Sequence, residues 1–263
     1  MKMKSKTAYY ALAGFFLLSL VSLNFGLLCC WLMFSGPHHQ LLRHLAVGAA
    51  ALGIGAAALT FQIYRTIRYL TRLTSSRTIC LPSALQQAAA NTHVDASNIT
   101  VILSGESLAF CAGFLHPRIH VSSGLIERLS LRQLEAVLLH EEYHRQRRDP
   151  LRLLLVDGAR SALFFLPAVR EWASIVKARI EIEADGFAIN QVGRPALAGA
   201  LHSLLSSSPT VASAVPASIA GLSANALRVA SLLEGRRPSL RISTSNLVFS
   251  ILFVWALCIV VML

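Results

Sequence analysis

His140, Glu141 and His144 stand in the order H-E-x-x-H, with Glu142 and Tyr143 between them. On a helix, four residues at about 100° each return His144 to within about 40° of His140, so the two imidazoles share a face one turn apart. Such a pair can bind one zinc ion. Glu141, next to the first histidine, can reach water on that ion as a general base. Glu142 points elsewhere and is not part of the pattern. The competing reading is a histidine pair that only decorates a helix face. A catalytic zinc takes three protein ligands and leaves a fourth position to water. Downstream, Glu181-Ile182-Glu183-Ala184-Asp185 offers three acids at helical spacing. Glu181 and Asp185 share one face, and Glu183 lies about 200° round from Glu181.

The elements that must position these groups are legible around them. Ser130 and Gln133 form an S-x-x-Q capping box for the motif helix, and Leu131, Leu134, Val137 and Leu138 give it an apolar stripe. Asp149-Pro150 is expected to end it, because proline pushes the preceding residue out of the α region. A helix is expected over 82–93, strands over 99–103, 108–114 and 118–121, and a helical pattern from 125. The apolar stretch 151–166 is interrupted by Arg152, Asp157 and Arg160, which suits a core or membrane-surface helix better than a membrane span. A long helix over 168–192 carries the acidic cluster and breaks at Gly193-Arg194-Pro195. A loop over 206–218 and a last helix over 224–234 follow.

Hydrophobic residues make up 54% of the chain, mean hydropathy is +0.57, and 24 Lys and Arg against 13 Asp and Glu give a net charge of +11. The basic residues flank apolar runs rather than cluster with aromatics on one element, which argues against direct nucleic-acid binding. Uncharged apolar runs at 8–34, 45–64 and 247–263 are long enough to approach or exceed a bilayer's hydrocarbon thickness. The first is too long for a signal-peptide core. Lys2, Lys4, Lys6, Arg65, Arg68, Arg72 and Arg77 flank the first two runs on one side, and only Arg43 lies in the loop between them. The positive-inside rule therefore puts the central region in the cytoplasm. The expected organisation is a transmembrane hairpin (1–74), a cytoplasmic domain (75–238) and a C-terminal transmembrane helix (239–263) in a bacterial-type inner membrane. Cys29, Cys30 and Cys258 fall in apolar runs, and Cys80 and Cys111 have no C-x-x-C spacing. His93, His116, His120 and His202 have no ligand spacing to one another.

The stretch Cys111-Ala112-Gly113-Phe114-Leu115-His116-Pro117-Arg118-Ile119-His120-Val121, then Gly124-Leu125, then His140-Glu141-x-x-His144-x-x-Arg147-Arg148-Asp149-Pro150-Leu151, resembles the membrane zinc peptidases of the beta-lactam sensor and antirepressor type. The E-x-E-A-D cluster also looks like that of the related CAAX prenyl and heat-shock membrane peptidases. The resemblance implies a mainly α fold with a small β-sheet: a gluzincin-like zinc peptidase domain plus about three transmembrane helices. It implies zinc on His140, His144 and Glu181, Glu141 as base, and Asp185 and Asp149 as acids behind the ligands. It also implies an edge strand that pairs with extended substrate through Phe110, Ala112 and Gly113, where the plainer reading is an ordinary sheet strand. The implied substrate is a protein, such as a DNA-binding repressor or the chain itself. The beta-lactam sensors carry a penicillin-binding domain after the last span, whereas this sequence ends at Leu263, so the expected signal comes from a separate sensor protein. Rival expectations are an idle signalling scaffold and a processing or quality-control peptidase of the CAAX or heat-shock type.

The charge bias is testable directly. A reporter fused after Arg77 should read as cytoplasmic, and a periplasmic reading would overturn the orientation.

Overall fold

The computed structural model describes residues 60, 61, 63, 64, 68, 78–207, 220–221 and 242–262, with side chains at 78–79, 205–207, 220–221 and 257–262 not described. The chain divides into two compact units, one of Phe61–Asp157 with Lys177–Leu240, the other of Met1–Thr60, Gly158–Val176 and Arg241–Leu263. Residues 158–176, expected within the central domain, thus belong to the second unit. The expected loop and helix over 206–218 and 224–234 fall almost wholly outside the described residues, as do the expected spans 8–34 and most of 45–64.

The first unit is built on a five-stranded sheet. Its strands are β1 (Thr78–Ile79), β2 (Ile99–Ile102), β3 (Ala109–Ala112), β4 (Arg118–Ser122) and β5 (Ala220–Gly221), in the order β1-β2-β4-β3-β5. β2 and β4 run parallel, and the other pairs are antiparallel. Side chains alternate across a strand. Ile99, Val101, Ala109, Ile119 and Val121 therefore turn to one face, where they pack with Leu85 and Ala88 of α1 (Ser83–Thr92) and with Leu134, Val137 and Leu138 of the motif helix α3 (Leu131–Arg147). All of these are buried. Each such Leu, Ile or Val contributes about 1.5–3 kcal/mol by leaving water, so this layer fixes where α3 lies.

Between sheet and motif helix runs α2 (Ser123–Arg128). Ser122 caps it, accepting from Leu125 N–H at 3.2 Å and donating to the Glu106 carbonyl at 2.6 Å. The Ser123 hydroxyl donates to the Ser104 carbonyl at 3.0 Å, and Gly124 N–H donates to the same oxygen at 2.9 Å. The loop before β3 is thereby clamped so tightly that a Cβ on Gly124 would lie 2.5 Å from the Gly105 carbonyl oxygen. That oxygen is backbone and cannot turn aside.

Ser130 and Gln133 form the reciprocal capping box at the start of α3. Its end differs from expectation. The helix closes on Arg148 in the left-handed conformation (φ 52°), and Asp149 is already the first residue of α4 (Asp149–Ala162). Pro150 then sits in a first turn, where a missing N–H costs nothing. α5 (Pro167–Val192) is one continuous helix carrying the acidic cluster, and it stops at Gly193 (φ 88°). The next helix, α6 (Arg194–Ser207), is not marked by the sequence patterns above. It packs Leu197 and Leu201 against Ala136 and Leu139 of α3 and Ala188 of α5.

In the second unit, α7 (Thr244–Met262) forms where the third apolar run was expected. Its side chains are described only as far as Ala256, and no helix among the described residues is long and apolar enough to cross a membrane.

The clamp at Gly124 makes a contrast of glycines. Gly124→Ala should cost about 1–3 kcal/mol of stability through overpacking. Gly105→Ala, with nothing within 4 Å of the added carbon, should change stability by less than about 0.5 kcal/mol. Urea midpoints of the two variants measure the difference, and equal losses would refute the clamp.

Candidate metal centre

Two turns of α3 and one of α5 build the site. His140 Nε2 lies 3.1 Å from His144 Nε2, and the Glu181 carboxylate lies 3.6 Å from the first ring and 3.7 Å from the second. One ligand atom from each of the three falls within 4.8 Å of the others, so these residues can hold a metal ion together. His140 and His144 are fully buried and Glu181 is 8% exposed.

The far sides of both rings meet carboxylates. Asp185 Oδ1 is 3.0 Å from His140 Nδ1, and Asp149 Oδ2 is 2.9 Å from His144 Nδ1. Arg152 donates to the other oxygen of Asp149. In the neutral imidazoles the Asp149 contact places the His144 proton on Nδ1, where it is donated to the acid, and the approach of Asp185 favours the same tautomer of His140, so both Nε2 lone pairs turn inward to the same point. Two facing lone pairs 3.1 Å apart repel unless a cation sits against them. Charge points the same way. Glu141, Asp149, Glu181 and Asp185 are all buried, and Arg152 sets its guanidinium against Asp149. Buried charge is costly unless compensated, and a divalent cation compensates it. The donor set, two imidazole nitrogens and a carboxylate oxygen with acids behind, fits zinc.

The remaining acid of the cluster faces elsewhere. Tyr143 donates its hydroxyl proton to Glu183 at 2.9 Å, and Arg147 approaches the same carboxylate at 4.0 Å while lying 5.1 Å from the Tyr143 ring centroid. Burial first, then the Glu183 charge, raises the Tyr143 phenol above its usual range. Tyr143 also meets Phe187 at 5.4 Å between ring centroids. These contacts, none of them readable from the motif, set the rotation of α5 against α3. Glu142 is held by Arg145 at 2.6 and 2.8 Å and by Gln146 at 2.8 Å.

Glu141 is fully buried on the sheet side of α3. Its charge is felt at Cys111 of β3, where burial first, then the Glu141 and Asp149 carboxylates, push the thiol well above its usual range.

The three residues expected to receive substrate lie on or beside a strand that is paired on both sides. β3 is not a free edge, because β5 pairs with its outer side at Phe110↔Gly221 and Cys111↔Ala220. A later segment of the chain thus satisfies backbone groups that an open edge would offer to a partner. Phe110 is buried with its ring stacked on His120, centroids 5.1 Å apart and planes at 19°. Burial first, then Arg118, lowers the His120 pKa to about 4, so it is neutral at physiological pH. Ala112 is buried too. Gly113 turns the chain at φ 108°, where a Cβ would lie 2.8 Å from the His116 carbonyl oxygen.

Residues 75–208, just over half of the chain, match the profile of peptidase family M48. No curated protein matches the chain.

The three acids of α5 separate in a metal titration against a competing chelator. Glu181→Ala should lose most of the metal. Asp185→Ala should weaken affinity by roughly 10–100-fold. Glu183→Ala should leave affinity unchanged. Loss of metal in Glu183→Ala with retention in Glu181→Ala would reverse the assignment.

Proposed function

The chain belongs to peptidase family M48 and is a metallopeptidase, and from that premise we propose that it is a membrane zinc endopeptidase that cleaves a cytoplasmic or membrane-proximal protein in signal transduction. Substrates of this class include a transcriptional repressor and the chain itself. The observation that carries the chemical part is the buried convergence of His140, His144 and Glu181 beside a fully buried Glu141. The membrane part rests on the three apolar runs and the charge bias around them.

Zinc, when bound by His140, His144 and Glu181, supplies Lewis-acid polarisation of the scissile carbonyl and of water. Glu141 takes the proton of the attacking water and delivers it to the leaving amine. Asp185 and Asp149 hold the imidazoles in the tautomer that presents Nε2 to the ion, and Arg152 holds Asp149.

The idle-scaffold reading is disfavoured by Glu141 itself. A carboxylate with no exposure is a costly residue to keep without a task. A processing or quality-control peptidase of the CAAX or heat-shock type would use the same residues and differ only in substrate.

Glu141→Gln should keep its metal and lose cleavage by about 10²–10⁴-fold, because the ligands survive and the base does not. Glu142→Gln should keep cleavage and lose only the stability of the Arg145 ion pair. Comparing cut sites across the proteome in cells making wild type or Glu141→Gln identifies the substrate. Cleavage that survives Glu141→Gln but not Glu142→Gln would place the motif in the wrong register.

A further inference from the structure

The turn joining α4 to α5 is an apolar tip between two arginines. Residues 161–169 carry no charge, and Arg160 and Arg170 bound them. At the tip Phe164 is 64% exposed and stacks edgewise on Phe165, centroids 5.5 Å apart. An exposed aromatic pair at the end of a helical hairpin costs water contact that a soluble surface normally avoids.

α7 packs along this tip in antiparallel fashion. Glu171 accepts from Ser243 N–H at 3.1 Å and from the Asn246 amide at 2.8 Å. Ala168 N–H donates to the Ser250 hydroxyl at 3.1 Å, and Phe165 meets Phe253 at 5.5 Å between centroids. Moving back along the chain from Glu171 to Phe165 therefore moves forward along α7 from Asn246 to Phe253, about 10 Å at 1.5 Å per residue. Over that length α7 exposes Val248, Phe249, Ile251 and Leu252, and Trp255 beyond them is 68% exposed. The apolar surface of the tip and that of α7 thus lie at the same depth. At the shallower end is a cleft of about 340 Å³ lined by Arg160, Pro167, Arg170, Glu171, Ser174 and Asn246. The Glu171 carboxylate is engaged with α7, and the cleft brings the Arg160 and Arg170 side chains to one lining.

Taking the chain as a membrane protein, as above, we propose that the 161–169 turn is a membrane wedge, inserted into one leaflet beside α7, with Arg160 and Arg170 holding the phosphate of an anionic phospholipid. About 10 Å of depth fits within one leaflet of a hydrocarbon core about 30 Å thick. Arginine stems can lie along apolar surface while their heads stay at the headgroup level, and the guanidinium fork matches phosphate oxygens.

The full chain, reconstituted in phosphatidylcholine vesicles with or without phosphatidylglycerol, tests this through the association of spin-labelled lipids. Wild type should select phosphatidylglycerol. Arg160→Gln with Arg170→Gln should cut that selectivity by up to roughly 30-fold, at about fivefold per arginine, with helix content by circular dichroism unchanged. Phe164→Trp should add fluorescence that acyl-brominated lipid quenches. Selectivity retained in the double variant, selectivity erased equally by inorganic phosphate, added fluorescence in Phe164→Trp that brominated lipid leaves untouched, or cross-linking of Phe164→Cys to a second copy would each overturn the wedge. A chain that enters neither vesicle loses the membrane reading as well, whereas Glu141-dependent cleavage in detergent would stand.

Discussion

Two imidazole nitrogens directed at one point are the constraint on which the rest of the first unit depends. Left alone they repel, and four buried carboxylates around them add to the cost. Such a cluster persists only on a rigid support. The sheet face formed by Ile99, Val101, Ile119 and Val121 provides it, packed against Leu134, Val137 and Leu138 of α3. The residues that fix the helix and the histidines that could hold a metal are interleaved along it, one stripe facing the sheet and the neighbouring positions facing α5.

The rotation of α5 is set by the same logic from the other side. Glu181 and Asp185 share a face and divide the work, one carboxylate approaching both Nε2 atoms and the other lying 3.0 Å from His140 Nδ1. Glu183 is excluded by helix geometry and given a different task, anchoring Tyr143. The bond from Tyr143 to Glu183 holds the two helices in the register that brings Glu181 to the histidines. Residues outside the cluster thus determine which acid approaches the histidines.

How much of this was legible in the sequence depends on how local the signal is. The capping box at Ser130 and Gln133, the helical spacing of His140 and His144 and the length of α5 are local, and the sequence patterns matched them. β1 and β5 have two residues each and no periodicity to detect. β5 exists only because β3 offers it backbone partners, so the expectation of a free edge at Phe110 failed on a contact with Gly221, far along the chain. α6 was missed because Pro195 beside Gly193 reads as a break, although proline at the start of a helix is tolerated. Arg152 lies three residues after Asp149 and was readable as a helical ion pair only once Asp149 was placed inside a helix.

The misplaced end of α3 shows why the distinction matters chemically. Had the helix continued to Asp149, that residue would stand five positions after His144, about 140° round the axis, and its carboxylate would point away from the ring. The left-handed turn at Arg148, closed by its N–H on the Arg145 and His144 carbonyls, reverses the chain within one residue. Asp149 then opens α4, close enough for its Oδ2 to lie 2.9 Å from His144 Nδ1, and Arg152 one turn on secures its other oxygen. Proline at 150 suits this start and would not suit a continuing helix. The string Arg147-Arg148-Asp149-Pro150 is therefore part of the metal centre's architecture. It does not end a helix and leave; it folds an acid back onto the second histidine, as Asp185 does for the first from a different helix.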